Sequence, residues 1–404
     1  MDTRGRKIGI IVAVVAGLVI LFFVGRYFIT NKTEKSNQAK IEKEKEDLSE
    51  KETRQLAQSL HEACIYAASV GIDTSRYATV ADADQNKAKL TNMLLELRYG
   101  KKPSRLEFNG LKESVDSLWA TKANPSELTT LATFGPYKQL AAHYSRLQKS
   151  GATNNPGMAD SLRLIRQTLN FYRYINRFDP DQFVLVNIPA GELNVFDRTG
   201  KRLLPMQVIS GKPDKMTPCM VTYIQDIVMY PYWNVPQNIA LDEMLPRMKR
   251  DLSYIYNQNL QILDAKNKEV DPEEIDWDAL SETNFPYRVR QASGCENSLG
   301  LLKFNLANPL AIYLHDTNSR DLFKSTKDHW RSHGCVRVQK PVELANLILG
   351  TKTFDADFMN KCLIDQKPTT LPTKKFPVFI AYNVADVDAA GKLRFYNDVY
   401  SLDK

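Results

Sequence analysis

The chain has 404 residues, enough for two or three domains that each bury a core, and its 43% hydrophobic and 25% charged residues are ordinary for a folded protein. Its formal net charge of +7 is modest, and no stripe of Lys and Arg interleaved with aromatic residues stands out, which excludes the composition typical of a nucleic-acid-binding protein. We therefore expect no nucleic-acid partner.

The first part of the chain has the pattern of a membrane anchor. Three basic side chains open it, those of Arg4, Arg6 and Lys7. Residues 8–29 are then uncharged apart from Arg26, and such a run is long enough to span a bilayer. A basic flank before an apolar run keeps the N-terminus in the cytoplasm, so we predict an anchor at 1–30 with the rest of the chain outside the cytoplasm. A cleaved signal peptide is the alternative, but no small-residue cleavage site follows the run.

The region after the anchor is predicted to be helical. Residues 31–58 alternate in charge sign and hold almost no apolar side chains, which is typical of a solvated helix or a flexible stalk. Residues 59–178 place Leu, Ile, Phe and Tyr at three- and four-residue spacing, for example in MADSLRLIRQTLNFYRYINRF, and predict a helical domain interrupted by the loop SGATNNPG. Nothing in this region has a catalytic pattern.

After Asp179 the hydrophobic period changes to that of strands. Two strands are predicted around a Pro-Ala-Gly turn in QFVLVNIPAGELNVFD, a third in KRLLPMQVISGKPD, and more as far as a C-terminal hairpin. Residues 240–285 interrupt them with a polar, partly helical insertion. Pro341 and Gly350 enclose a short helix, since proline suits the start of a helix and glycine the position just past its end. The predicted fold class is α+β, with a mostly β second half at 179–404.

One cysteine stands out. The five cysteines are Cys64, Cys219, Cys295, Cys335 and Cys362. On the predicted topology they lie in an oxidising compartment, and an odd number leaves at least one thiol unpaired. Three of the five histidines in the chain, His315, His329 and His333, fall within the twenty residues before Cys335.

A nucleophilic cysteine needs a base, a group that orients the base, and donors for an oxyanion. His315 ends the apolar strand LAIYL, and the polar loop after it is long enough to return Cys335 to its side. Gly334 lets the backbone approach a substrate, and the N–H groups of Gly334 and Cys335 are candidate oxyanion donors. Residue types alone leave three other interpretations open: a structural thiol with packing histidines, a zinc site built from the three histidines and Cys335, and a disulfide.

The longer pattern resembles a known family. His315 and the later motif Ser332-His333-Gly334-Cys335-Val336-Arg337 resemble the signature of the L,D-transpeptidase (YkuD-type) catalytic domain. Six blocks resemble, in order, those of its larger, YcbB-like branch: FVLVNIPAGELNVFD, VISGKPDKMTP, YPYWNVP, RVRQASGCENSLGLLKFN, AIYLHDTNSRDLF and PVFIAYNVADVDAAGKLRFYNDVY. The resemblance covers about Asp179 to Tyr400. It implies that mostly β catalytic fold for 179–404, with 240–285 as a helical capping insertion over the active site.

The resemblance implies an acyltransferase that cross-links peptidoglycan between third-position diamino acid residues of two stem peptides. Cys335 would be the nucleophile that forms a thioester acyl-enzyme, and His315 the general base and acid. His333 would shape the loop and, with Gly334, order the oxyanion site, while the backbone of Asp316 would orient the base. Neither a cofactor nor a metal is implied.

The same mapping implies a set of substrate-binding residues: Arg337, Ser332, Asp316, Tyr232 and Trp233. Arg337 would bind a substrate carboxylate bidentately, or else brace the loop through a salt bridge. Tyr232 and Trp233 would line the rim of the groove, or else pack in the core. His329 and Trp330, in the loop before the motif, are expected to be structural.

Two departures from the branch are expected. Many of its members carry a sugar-binding module in the helical region, but between His143 and Gln167 this chain has only a short loop, so we expect the module to be absent. Cys219 and Cys295 both lie in blocks that form the groove in relatives, and we expect a disulfide between them. The two other cysteines, Cys64 and Cys362, lie in helical patterns and are expected to be buried and inert.

The implied partners are donor and acceptor stem peptides, the membrane through residues 8–29, and other cell-wall enzymes. The implied location is the bacterial inner membrane, with a single pass and the catalytic domain in the periplasm. Two alternatives stay open. Water as the acceptor would make an L,D-carboxypeptidase or cross-link hydrolase with the same Cys335 and His315, and a non-catalytic protein would be a wall-binding scaffold.

Overall fold

The computed structural model describes residues 3–122, 134–150, 156–324, 328–355, 357–361, 363 and 366–403, without the side chains of 3–15 and 121–122. The chain divides into two compact units. The first comprises Met1–Ile65 and Thr74–Met93, and the second comprises Tyr66–Asp73 and Leu94–Lys404.

The long helices lie early in the chain, and most of the strands lie later. The helices are α1 Thr3–Ser69, α2 Ala83–Tyr99, α3 Ser117–Lys122, α4 Gly135–Lys149, α5 Pro156–Ile175, α6 Gln237–Ile239, α7 Leu245–Arg250, α8 Ser253–Asn257 and α9 Pro341–Leu349. The strands are β1 Leu106–Asn109, β2 Gln182–Asn187, β3 Glu192–Asp197, β4 Arg202–Gly211, β5 Cys219–Met229, β6 Trp233–Asn234, β7 Leu260–Leu263, β8 Glu269–Val270, β9 Arg288–Gln291, β10 Leu302–Leu306, β11 Tyr313–His315, β12 Trp330–Ser332, β13 Val336–Val338, β14 Thr369–Ala381, β15 Ala385–Val387 and β16 Leu393–Phe395.

The helix α1 is continuous through the predicted anchor and the charged stalk. Its residues 33–52 are exposed along the whole stretch, as a solvated charged helix requires. Across the part of the chain whose side chains are described, no helix has the length and apolar character needed to span a bilayer. Residues 8–15, the first part of the predicted anchor, lie outside those described side chains.

The strands of the second unit close into a barrel. β14 pairs with both β2 and β5, so the order β5–β10–β11–β13–β4–β3–β2–β14 returns to β5. A barrel of eight strands has an interior that side chains fill completely. Val184, Phe304 and Val336, from three different strands, are 0% exposed in one hydrophobic core. The predicted mostly β second half is therefore confirmed.

Helices α4 and α5 share this core with the barrel. The Phe171 ring of α5 lies 6.4 Å from the ring of Phe379 in β14, which in turn lies 5.4 Å from Phe183 in β2. Thr168 of α5 donates a hydrogen bond of 2.6 Å to the carbonyl of Ala385. The helical region also contains the strand β1, which pairs in parallel with β5 and was not expected, because four residues carry too short a pattern to reveal a strand.

The predicted capping insertion is a small layer with a core of its own. The helices α6 and α7 are joined by a π-helical turn, Ala240–Met244, and the strands pair in the order β6–β9–β7–β8. Its core contains Met248, Ile262 and Trp277, and strand residues close it on one side. The expectation of a helical insertion is thus only half right, since LQIL forms β7 by pairing with β9, about thirty positions further along the chain.

The expected disulfide between Cys219 and Cys295 is wrong. Cys219 is a free, buried thiol, whereas Cys295 forms a disulfide with a different cysteine. Cys219 opens β5, and the strand that follows the Cys295 loop, β10, begins opposite Met229 at the far end of β5. Bridged cysteines need Cα atoms within about 7 Å, which opposite ends of a long strand do not provide. Cys64 is a free thiol that is half-buried and not fully buried as expected, and Cys362 lies outside the described residues.

Candidate active site

Two parallel strands bring the cysteine and the histidine together. In the pairing of β11 with β13, Leu314 lies opposite Val336, and His315 lies opposite Arg337. Leu314 and Val336 are fully buried in the core. Because side chains alternate between the two faces of a strand, His315 and Arg337 share the opposite face, and so does Cys335, which precedes Val336. By this register Cys335 comes level with Tyr313, on the same face of the sheet as His315, the expected base.

Two further residues on this face were missed by the sequence interpretation. Lys303 of β10 pairs with His315, and its Nζ lies 4.2 Å from the centre of the Tyr313 ring. The rings of Tyr313 and His315 are 5.6 Å apart. The alternation of the strands was the available signal: Tyr313 is two positions before His315, and Lys303 stands between the buried Leu302 and Phe304.

Tyr313 lies close to both the thiol and the cap. Burial, and then the proximity of Cys335, raise the pKa of Tyr313, so the phenol keeps its proton. The neighbouring Trp233 acts in the opposite direction on the same pKa. Tyr232 stacks under the guanidinium of Arg290 at 4.5 Å.

Cys335 is a half-buried, protonated thiol. Its Sγ donates a weak hydrogen bond of 3.6 Å to the carbonyl of Ala311, a residue with a φ of +56° just before β11. Burial raises the pKa of the Cys335 thiol, while hydrogen bonds from Tyr313 and the positive charge of Lys303 oppose that rise. The thiolate is the reactive form of a cysteine, so a reaction at Cys335 needs a base to take the proton.

His315 is held as a neutral base. Its Nδ1 lies 2.5 Å from the carbonyl oxygen of Asp316, and because a carbonyl only accepts, Nδ1 carries the proton and Nε2 has the free lone pair. Burial lowers the pKa of His315 to about 3, and the positive charges of Arg337 and Lys303 add to the effect, against the hydrogen bond to Asp316. The imidazole is therefore in its proton-accepting form at every physiological pH.

Asp316 orients the base through its main chain. Its buried carboxylate accepts hydrogen bonds from the Leu301 N–H at 2.8 Å and from Nη2 of Arg320 at 2.9 Å. Gly300 makes room for it, since a Cβ at that position would lie 2.2 Å from an oxygen of Asp316. With the carboxylate engaged inside the protein, the geometry favours the orienting role over the expected contact with substrate.

The motif loop is braced from within. The buried Ser332 hydroxyl donates to the carbonyl of Cys335 and accepts from the Gly334 N–H at 3.1 Å. Thr217 donates a hydrogen bond of 2.7 Å to the Gly334 carbonyl. Gly334 has a φ of +117°, a conformation that other residues rarely adopt. In this structure the Gly334 N–H is directed to Ser332, so the roles of Gly334 as oxyanion donor and of Ser332 in substrate binding stay predictions.

His333 links the motif loop to the cap. Its Nε2 lies 2.6 Å from Oε1 of Glu243 in the π-helical turn. An opening of about 590 Å³ lies beside this pair, between loop and cap, and it is lined by the cations Lys212, Arg247, Arg250 and Arg331 among others. His333 thus contacts a partner that is 90 positions away in the chain, and its role in shaping the loop stays a prediction.

The remaining histidine of the cluster is structural. His329 is buried, and its Nδ1 lies 3.0 Å from the carbonyl of Val208. The neighbouring Trp330 donates from its indole to the carbonyl of Ile188 at 2.9 Å, which confirms the structural role expected for both. The histidines thus have separate partners, and within the described ranges no group of three or more metal-binding side chains is assembled.

Arg337 has no counter-charge among the residues that the structure describes. Burial lowers the pKa of its guanidinium, and its Nε has no hydrogen-bond partner there. No described carboxylate forms an ion pair with Arg337, so the expected bracing salt bridge is not seen. A half-buried guanidinium on the face of Cys335 and His315 is suited to an incoming carboxylate.

Comparisons with known proteins agree with this geometry. Residues 181–380 match the family model described as the L,D-transpeptidase catalytic domain, YkuD. A Haemophilus influenzae protein whose curated name assigns it provisionally to the L,D-transpeptidases is 38% identical over 222 residues. That alignment covers 55% of this chain and 44% of the relative, so the chain matches less than half of the relative's length.

Solved structures show weaker likeness. The catalytic domain of an E. faecium L,D-transpeptidase, acylated by ertapenem, is 12% identical with a TM-score of 0.24, covering 50% of this chain and 98% of that one. An L,D-transpeptidase from Mycobacterium smegmatis is 11% identical with a TM-score of 0.23, covering 50% of this chain and 58% of that one. Since these scores are low, the family assignment depends on the sequence matches.

Proposed function

We propose that this chain, whose residues 181–380 match the L,D-transpeptidase catalytic domain (YkuD), cross-links peptidoglycan between third-position diamino acid residues. The observation that supports the proposal is the β11–β13 register, by which Cys335 and neutral His315 belong to one face of the sheet. A thiol, a base with a free Nε2, and a ring orientation held by the Asp316 carbonyl are the parts that covalent acyl transfer needs.

In the first half-reaction, the Cys335 proton passes to Nε2 of His315 as Sγ attacks the carbonyl of the third stem residue. The oxyanion forms near the Tyr313 hydroxyl, a neutral donor whose pKa is raised by burial and by the proximity of Cys335. The bond to the terminal D-residue then breaks, and His315 returns the proton to the leaving amine. A thioester on Cys335 remains.

In the second half-reaction, a side-chain amine of another stem attacks the thioester. His315 accepts the amine proton and passes it to the departing sulfur, which restores the thiol. The new amide joins two third-position residues. Water in place of the amine would give a carboxypeptidase or hydrolase by the same steps, so the acceptor is decided by product analysis.

The charges around His315 suggest how substrate assists the base. A histidine with a pKa of about 3 accepts a proton poorly, and the nearby Arg337 contributes to that low value. A substrate carboxylate bound to Arg337 would neutralise this charge and raise the basicity of His315 at the moment of reaction. Substrate binding and base strength are thereby coupled, and Arg337 is the proposed carboxylate site.

The proposed location is the bacterial inner membrane, with the catalytic domain in the periplasm. Support for it comes from the basic flank and the apolar run at residues 8–29 alone. Fractionation of cells expressing the full chain tests it, since recovery in the soluble periplasmic or cytoplasmic fraction contradicts an anchor. Contact with other cell-wall enzymes stays a prediction.

Intact-protein mass spectrometry tests the mechanism. The full chain is mixed with a disaccharide-tetrapeptide, or separately with a carbapenem, and compared with Cys335→Ala and with Cys64→Ala, which removes another free thiol. We expect an acyl adduct on the wild type and on Cys64→Ala, and none on Cys335→Ala. An adduct that survives Cys335→Ala, or no adduct on the folded wild type, contradicts the proposal. The masses of the released peptides then separate cross-linked dimers from trimmed tripeptides.

A further inference from the structure

A second cavity of about 630 Å³ opens in the second unit, away from the site of Cys335. It borders Cys219, at the start of β5. The face that carries Lys303, His315 and Cys335 reaches the same strand near its other end, where Lys303 pairs with Val228. Nine residues of extended strand separate Cys219 from Val228, which is roughly 30 Å at the usual rise of a strand. The two sites are therefore distinct.

The cavity wall is strongly cationic. Six basic side chains line it, namely Lys101, Lys102, Arg105, Arg163, Arg166 and Arg173, against the carboxylates of Asp73 and Glu96. Some of this charge is already compensated, since Lys101 lies 3.0 Å from Glu96, and Arg105 and Arg163 both contact the buried Asp403. No carboxylate of the described part of the chain pairs with Lys102 or Arg166. The wall thus keeps an excess of positive charge in a concave space.

Two buried donors on the same wall lack partners. Arg173 is 3% exposed, and its Nη1 donates to the Val70 carbonyl at 3.1 Å and the Tyr137 hydroxyl at 3.0 Å, but its Nε donates to nothing. Asn383 is 6% exposed, and its Nδ2 has no partner either. Both nitrogen atoms are closed off from solvent, so they leave polar groups uncompensated behind the wall but offer no donor to a ligand inside the cavity.

We propose that this cavity binds an organic anion with at least two negatively charged groups, phosphate or carboxylate. Guanidinium and ammonium groups of the wall, above all the exposed Arg166 and Lys102, match such a ligand. The side chains of Phe171 and Tyr382 add an apolar part to the wall, suited to the ligand's carbon body. The cavity has the volume of a small-molecule site. This inference does not rest on the proposed catalytic function.

Isothermal titration calorimetry on the full chain tests it, with inorganic pyrophosphate and citrate as probes at one fixed ionic strength. The test variant is Lys102→Ala with Arg166→Ala, since both side chains are exposed and unpaired in the described structure, so that folding should survive. The control variant is Lys352→Ala with Lys392→Ala, which removes two exposed positive charges elsewhere. The two probes distinguish a phosphate ligand from a carboxylate ligand.

We expect saturable binding of at least one probe to the wild type and the control, weakened about tenfold or more in the test variant. Acylation of Cys335 by a carbapenem should be unchanged in the test variant, because the cavity is remote from the thiol. Equal weakening in test and control variants would mean non-specific attraction and would overturn the proposal. So would the absence of saturable binding of both probes to the folded wild type.

Discussion

Replacing Arg337 by glutamine should raise the pKa of His315 by about two units. In the wild type the positive charge of Arg337 is, after burial, the largest contribution to the low pKa of His315, which is about 3. Removing a cation stabilises the imidazolium, so the direction of the change is upward. Glutamine retains the polarity and most of the length of the side chain, and removing a buried, unpaired charge should not destabilise the fold.

The magnitude follows from the strand register. His315 and Arg337 are directly opposite in neighbouring strands. Their Cβ atoms are then about 5 Å apart, and we take about 6 Å for the separation of their charged groups. At an effective dielectric constant of about 20, two positive charges at this separation repel each other by about 2.8 kcal/mol, which corresponds to about two pKa units. The pKa of His315 should thus move from about 3 to about 5.

The same shift should appear in acid stability. An unfolded histidine binds a proton near pH 6.5, so a buried neutral His315 makes folding less favourable as the pH falls from about 6.5 towards 3. In Arg337→Gln the loss of stability from this group should end near pH 5. Between about pH 5 and pH 3 the variant should therefore lose up to about 3 kcal/mol less of its free energy of unfolding than the wild type does.

The assay is an NMR titration of histidine ring signals between pH 4 and pH 8, with His315 assigned by its loss in His315→Gln. The wild-type His315 signal should not titrate in this range, and in Arg337→Gln it should titrate near its lower end. Arg331→Gln, in the same loop, is the control and should leave the signal unmoved. A wild-type His315 that titrates near pH 6.5, or an unchanged signal in Arg337→Gln, would refute the reasoning.

Three other outcomes are expected. Ser332→Ala removes both hydrogen bonds that brace the motif loop, so urea unfolding should show about 1–3 kcal/mol less stability and carbapenem acylation should slow; unchanged values would exclude the bracing role. Glu243→Ala breaks the contact with His333, so amide hydrogen exchange in the cap should become faster. The free energy of unfolding should fall by less than about 1 kcal/mol. Amide protection equal to that of the wild type would show that the contact does not hold the cap. Phe379→Ala should lower the free energy of unfolding by about 3–5 kcal/mol. The control Phe395→Ala, at a side chain that is 48% exposed, should lower it by less than about 0.5 kcal/mol. Equal losses in the two variants would mean that Phe379 is not a core residue.

Much of the fold was predictable because it depends on local patterns. The alternation in QFVLVNIPAGELNVFD predicted β2 and β3 with their turn, and the Pro341 and Gly350 pair predicted α9 within its observed bounds. Cys335 and His315 were predicted as partners because their motif resembles a family signature, and the register of β11 and β13 brings them together. Such features can be predicted from residues that are close together in the sequence.

Other features needed partners distant in the chain. β1 and β7 are too short to be recognised alone and exist because β5 and β9 pair with them. Lys303 and Tyr313 carry ordinary strand patterns, and only the pairing of β10 with β11 places them around His315.

The sequence by itself determined which chemical groups this protein has: a thiol and a histidine in a recognisable motif, strands of alternating character, and an apolar N-terminal run. The tertiary structure decided what each group faces. It turned the Gly334 N–H to Ser332, set His333 against Glu243 and left Arg337 unpaired among the described residues. The physical reason is that pKa values and hydrogen bonds depend on distances of a few ångströms, and strand pairing between remote segments sets those distances.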